Sequence, residues 1–186
     1  MRPLDGITVV ALEQVIAGPF ATRQLAELGA RVIKIERPDG GDPARAYDRT
    51  VKGLSSHFVW VNRSKESLAL DLKHPDGRAV LEALIARADV FITNFPGPIR
   101  EKLKLTPDDV LPLNERLVYA SLTPYGEEGP EKDRTGYDAI LVGATTARVD
   151  RPALTVRHAP PGRTPPRRLV LDPRAELPVN RWIIGE

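Results

Sequence analysis

The sequence predicts an α/β protein: a Rossmann-like, doubly wound, mostly parallel sheet followed by a Pro/Arg-rich, β-containing tail. Two observations carry that prediction. Short apolar runs of strand length alternate with stretches of helical periodicity, the order expected of a parallel sheet with crossover helices. The first of these, Ile7 to Glu13, Gly18 to Leu28 and Arg31 to Glu36, form one complete βαβ unit. Composition agrees: 41% hydrophobic and 28% charged residues are values of a folded globular chain, not a disordered one.

Each element follows from its residues. Ile7 to Glu13 (ITVVALE) is an apolar run suited to a buried parallel strand. Gly18-Pro19 opens a helix, where the missing proline N–H had no partner to lose. Phe20, Leu25 and Leu28 form its expected apolar side, and Gly29 ends it. Arg31 to Glu36 (RVIKIE) is the second strand, and Arg37 to Lys52, polar and containing Gly40-Gly41-Asp42-Pro43, reads as a surface loop. Ser67 to Leu72 alternates like a strand. Pro75 to Ala88 is the clearest helix, with Val80, Leu81, Leu84 and Ile85 at helical spacing. Val90 to Phe95 is a strand and Pro96 to Leu103 a short helix; Thr106-Pro107-Asp108-Asp109 reads as an N-cap with an acidic first turn. Leu117 to Leu122, Ala139 to Val142 and Arg167 to Leu171 are further strands.

A boundary falls near Gly136. Beyond it the chain holds eight Arg against five acidic residues, no Lys, and prolines at 152, 160, 161, 165, 166, 173 and 178. The overall charge of +2 is too small to indicate nucleic acid. No apolar run approaches the roughly 18 residues of a membrane helix, and the start lacks the apolar region of a signal peptide. The absence of cysteine excludes disulfides and thiolate chemistry and fits a reducing, cytoplasmic setting. His57, His74 and His158 lack metal-ligand spacing, and neither H-E-x-x-H nor G-x-S-x-G occurs, so no metal site and no serine hydrolase are expected.

Ligands of doubly wound sheets sit beyond the carboxyl ends of the strands. Four places qualify. The first loop, Gln14 to Pro19, has small residues that admit a ligand to a helix N-terminus, but no G-x-G-x-x-G; a loop like it is more often a plain tight turn. Glu36 ends the second strand, where an acid can bind a ribose, and Arg37 after it can grip a phosphate or remain a solvated strand end. Asn94-Phe95 offers a donor, an acceptor and an aromatic face, or a structural turn. Lys73, Arg100 and Lys102 could join Arg37 around an anionic ligand or be scattered surface charge.

These residues resemble a known family. Leu4 to Ile7, Ala17-Gly18-Pro19, Leu28 to Pro38, Gly41-Asp42-Pro43, Asn62 to Ser67, Leu70 to Lys73 and Asn94-Phe95 are similar to the opening of class III (CaiB/BaiF, formyl-CoA/carnitine type) CoA-transferases, to about Tyr137. The resemblance implies a CoA-binding Rossmann domain over 1–137, acyl-CoA or CoA as ligand, and a homodimer of interlocked chains, with no nucleic acid and no membrane. It implies CoA contacts at Ile16, Ala17, Arg37, Leu70, Asp71, Leu72, Lys73, Asn94, Phe95 and Pro96. It adds Lys102, which stands where the family often has Arg, and Arg134 and Tyr137 to complete the site. The family transfers the acyl group through an aspartate that attacks the thioester carbonyl, about 30 residues beyond Gly136-Tyr137. Here that place is near Arg167, in an Arg/Pro segment, and Asp172 ends a strand-like run before proline. The expectation is therefore a chain truncated before the catalytic Asp, with about half of the usual length absent, that binds CoA with impaired or no turnover.

Residues 138–186 carry a second resemblance. Asp138 to Thr146, Asp150 to Arg157 and Pro166 to Asp172 are similar to part of the reductase domain of riboflavin-biosynthesis deaminase–reductases. That resemblance implies NADPH contacts at Thr146 and Asp150, and substrate contacts at Leu154 and Arg157. The family's first strand and glycine-rich cofactor loop have no counterpart, and Arg151 stands where a second Asp is usual. A junction near Asp138 follows, from a fusion, a rearranged gene or a sequencing chimera. The alternatives to a CoA-transferase are thus an NADPH-dependent reductase fragment, or a non-catalytic α/β fragment acting through dimerisation.

Overall fold

The computed structural model describes residues 1–124 and 126–130, together with the backbone of two strands at 140–143 and 168–171. The chain divides into two units, Met1–Asp133 and Arg134–Glu186. The first unit holds a five-stranded, wholly parallel sheet. Its strands are β1 (Thr8–Leu12), β2 (Arg31–Glu36), β3 (Glu66–Ala69), β4 (Val90–Thr93) and β5 (Val118–Ser121), in the order β3-β2-β1-β4-β5. The order reverses between β1 and β4, and such a switch point opens a crevice at the carboxyl ends of its strands.

β1 is central, and its neighbours bury both of its faces. Val9 pairs in register with Val32 of β2 and Val90 of β4. Alternate residues then feed two cores. Val10, Leu12, Ile33, Ile35 and Phe91 pack on one face with Leu81 and Ile85, and Val9, Ala11, Val32 and Ile92 pack on the other with Ala26. Leu81 and Ile85 belong to helix α3 (Pro75–Ile85) and Ala26 to α1 (Ala17–Glu27), so helices cover both sides. Burying residues such as these is worth about 1.5–3 kcal/mol for each large side chain.

Local signals set the helix ends. Gly29 ends α1 at φ +115, where a Cβ would also lie 2.7 Å from the Asp5 carboxylate, so only glycine fits. His74 caps α3, its Nδ1 accepting the Asp76 N–H, with Pro75 in the first turn. Helix α4 (Gly97–Lys102) precedes α5 (Pro107–Val110), which opens on a reciprocal capping box between Thr106 and Asp109.

The structure corrects two expectations and adds one helix. Of the expected inner side of α1, only Leu25 packs against the core, and it is half-buried. Phe20 and Leu28 are exposed, and the buried positions are Gly18, Pro19, Thr22, Arg23 and Ala26, small residues apart from Arg23, whose guanidinium is paired with Glu27. Arg37 to Lys52 is not wholly a surface loop. Asp42 and Ala44 are buried, and a single 3-10 turn, Pro43–Ala46, starts at Asp42, whose carboxylate accepts the Ala44 N–H. An additional helix, α2 (Ser56–Asn62), follows with Ser55 as its cap. Its sequence, SHFVWVN, is β-branched and aromatic, and propensity gives it no helical signal.

In the second unit β6 (Ile140–Gly143) pairs in parallel with β7 (Arg168–Leu171), register Ile140 to Arg168. Among the described residues no helix is long and apolar enough to cross a membrane.

Candidate functional site

A cavity of about 470 Å³ opens at the carboxyl ends of β1, β2 and β3. Its apolar wall is Leu12, Ile35, Leu70, Leu72, Phe95 and Leu103. Its polar wall includes Glu13, Glu36, Asp42, Asp71, Arg37 and Lys73. Of the residues expected to touch CoA, Arg37, Leu70, Asp71, Leu72, Lys73 and Phe95 therefore line this cavity together.

The others stand differently. Asn94 turns both edges of its amide to one residue: its Oδ1 accepts the Gln14 N–H at 2.9 Å and its Nδ2 donates to the Gln14 carbonyl at 2.8 Å. That locks the β1–α1 loop to the end of β4 across the switch point. Ile16 precedes α1 and Ala17 opens it, beside the loop but outside the cavity wall. Pro96 and Lys102 begin and end α4 and do not line the cavity. Arg100, expected as a pocket cation, is instead buried. It donates to Glu127 at 2.5 Å and to the Tyr119 hydroxyl at 3.4 Å, and its Nε has no partner among the described residues. Glu36, expected as a ribose ligand, is also engaged elsewhere. It accepts bidentate bonds from Arg45 at 2.7 and 2.8 Å, the Asp42 N–H at 2.9 Å and the Ser67 hydroxyl at 2.8 Å. Burial alone would raise its pKa, but those donors hold it down to about 2. Arg134, Tyr137, Thr146, Asp150, Leu154, Arg157 and Asp172 lie outside the described residues.

The two cations at the mouth remain available. Arg37 is 56% exposed; its Nε donates to the Gly41 carbonyl at 3.0 Å, and Asp39 lies 3.9 Å away. Lys73 makes no ion pair among the described residues; only its backbone N–H is engaged, by Asp71 at 2.9 Å. Gly41 shapes the same corner at φ +64, where a Cβ would come within 2.6 Å of Glu36. An apolar slot with cations at its mouth suits a ligand that has both a flat apolar part and phosphates. No group of three or more His, Asp or Glu among the described residues could hold a metal ion.

Behind the cavity lies a charge network that the sequence reading missed. Lys34, 1% exposed in the middle of β2, donates to Asp42 at 2.9 Å and to the Glu13 carbonyl at 3.1 Å. Lys65, also buried, donates to Glu13 at 2.9 Å, the Pro19 carbonyl at 2.8 Å and Asn62 at 2.9 Å. Thr22 gives Glu13 a further bond at 2.7 Å. Burial pushes the Lys65 pKa down to about 8, against the raising effect of Glu13. The available signal was Lys34 itself, a charge inside an otherwise apolar strand that must find a buried partner.

Comparison with known proteins agrees with this architecture. The model of CoA-transferase family III matches residues 4–155. That span runs past Asp138, so residues 138–155, where the sequence reading expected reductase-like chain, fall inside the transferase match. The chain is 43% identical over 142 residues to succinyl-CoA:glutarate CoA-transferase of Mus musculus, covering 75% of this chain and 32% of that protein. It is 40% identical over 139 residues to acetyl-CoA:oxalate CoA-transferase of Acetobacter aceti, covering 75% and 36%. A crystal structure of a CaiB/BaiF family protein from Brucella suis superposes with TM-score 0.69 at 37% identity, over 74% of this chain and 37% of that one. The matched part of the chain thus spans about a third of the length of these relatives. With the family model matched over most of the chain and the sheet of a solved member reproduced, the protein belongs to CoA-transferase family III.

Proposed function

We propose that this chain binds coenzyme A or its thioesters in the cavity at the ends of β1, β2 and β3, and supplies the nucleotide-binding part of a class III transferase site. The observation that carries the reading is the pair of available cations, Arg37 and Lys73, at the mouth of an apolar cavity in a member of this family. The apolar wall would take the adenine and the cations its phosphates; Phe95 offers the ring an aromatic face. Two relatives are named for transfer between an acyl-CoA and a dicarboxylate, glutarate or oxalate, and that substrate class is the one to assay first.

Turnover needs a carboxylate to form the acyl anhydride. The place expected for it, near Arg167, holds arginine and proline, so these 186 residues are expected to bind CoA without completing transfer. By resemblance to the family, two copies of the chain associate.

Calorimetric titration of the purified protein with CoA, with NADPH in a parallel cell, tests the reading. Saturable CoA binding and no NADPH binding support it. NADPH binding without CoA binding would sink it in favour of a reductase fragment. Measurable CoA transfer from succinyl-CoA to glutarate would overturn the expectation of binding without turnover.

A further inference from the structure

The β1–α1 loop beside the cavity has an unusual conformation with a specific support. Val15 sits at φ 67. A β-branched residue is strongly disfavoured there, because its Cβ crowds the following carbonyl. Its N–H donates to both oxygens of Asp42, at 3.0 and 3.2 Å. Asp42 is 2% exposed and also accepts the Lys34 ammonium at 2.9 Å and the Ala44 N–H at 2.9 Å. One buried carboxylate therefore ties the loop after β1 to the loop after β2, and a lysine reaching from inside β2 balances its charge. Both oxygens are fully used within the protein, so Asp42 has no bond left for a ligand, although it lies in the cavity wall.

We propose that Asp42, balanced by Lys34, is a positioning residue of this site: it holds Val15 in the left-handed region and so fixes the backbone from Gln14 to Ala17 against the cavity. The proposal rests on the CoA reading above. Left to its own preference, Val15 would move to negative φ and turn the peptide that leads into α1. Asn94 holds Gln14 from the β4 side, so two adjacent residues of the loop are pinned by two different strand ends. Strain of this kind persists only where the surroundings impose it, and it is found at ligand-clamping loops.

The test combines Asp42→Asn, Asp42→Asn with Val15→Gly, and Asn114→Ala, each in the full chain. Asp42→Asn is expected to weaken CoA binding about tenfold or more, measured well below its unfolding midpoint. Adding Val15→Gly is expected to restore affinity to within about threefold, because glycine adopts this φ without steric cost. The midpoint stays low, because Lys34 still lacks its full partner. Asn114 bonds the Ile85 and Ala88 carbonyls at 3.2 and 2.8 Å. Its replacement is expected to lower the midpoint and leave CoA affinity unchanged, which separates positioning from stability.

Hydrogen exchange of the Val15 amide, read without ligand, is expected to be slow in the unaltered protein and fast in Asp42→Asn. Wild-type CoA affinity in Asp42→Asn, or no recovery on adding Val15→Gly, overturns the positioning role while sparing the CoA reading. Fast Val15 exchange in the unaltered protein overturns it even where no variant folds. Failure of the unaltered protein to bind CoA overturns the CoA reading and with it this role.

Discussion

The inner wall of the cavity and its mouth both carry charge, but they use it differently. At the wall Glu13, Glu36 and Asp42, and behind it Lys34, are each 6% exposed or less, and all are bonded to groups of the chain itself. At the mouth Arg37 is 56% exposed and Lys73 has no ion-pair partner among the described residues. Charges withdrawn from water must be satisfied within the protein, whereas charges at a rim can wait for a ligand. The wall therefore governs whether the site exists, and the mouth governs what it holds.

The largest effect is expected from breaking the wall. Lys34→Met removes the cation that is hydrogen-bonded to buried Asp42, and removal of one partner of a buried pair costs about 3–5 kcal/mol. Urea unfolding should show that loss. Lys34→Met combined with Asp42→Asn should be less destabilising than the two single losses added together, because the pair is coupled. Additive losses would mean that the two residues act independently and that the network is not one unit.

Acid probes the same wall. The folded-state pKa of Glu36 is about 2, below its ordinary value of 4.5. A depressed carboxylate pKa stabilises the fold above the unfolded pKa, and that stabilisation disappears as pH falls through the folded one. Between pH 4.5 and about 2, Glu36 should therefore cost the protein about 3 kcal/mol as it is protonated. Glu36→Gln should flatten the stability profile in this window, and an unchanged profile would show that other carboxylates dominate acid unfolding.

How much of this was legible in the sequence depends on distance along the chain. The parallel strands, α3 and the N-cap at Thr106 follow from local patterns, and all are found near their expected places. Arg37, Lys73 and Phe95 were legible as strand-end residues, because the sheet's topology brings such ends to one edge, whereas Leu70, Asp71 and Leu72 came only with the family resemblance. The network was not. Lys34 looked like a polar residue in a strand, and Asp42 like part of a Gly-rich surface loop; their contact becomes visible only when that loop folds back over β2. Helix α2 escaped for the opposite reason. Its local propensity points away from helix, and its place is fixed by packing near α1, as in the Phe20–Trp60 contact at 5.6 Å between ring centroids.

At the mouth the expected effects are on binding, not on folding. Arg37→Ala should weaken CoA binding about tenfold and reduce its salt dependence, since a charge-assisted contact to phosphate is lost. Its unfolding midpoint should hardly move, because the guanidinium makes one backbone bond at 3.0 Å and one exposed ion pair, with Asp39 at 3.9 Å. Equal losses of affinity and midpoint would place Arg37 with the wall and blur the distinction.

Lys73 should have the smallest effect. Its ammonium is solvated and makes no bond to the chain among the described residues, so it offers a ligand charge without a fixed direction. Lys73→Gln should weaken CoA binding about threefold, the scale of one solvated charge pair. That loss should fade as salt is raised toward about 0.5 M, where screening shortens its reach. A loss as large as that of Arg37→Ala, persisting in high salt, would instead mean that the bound ligand encloses the lysine. The mouth would then close on its ligand, and its apparent openness would belong to the free protein alone.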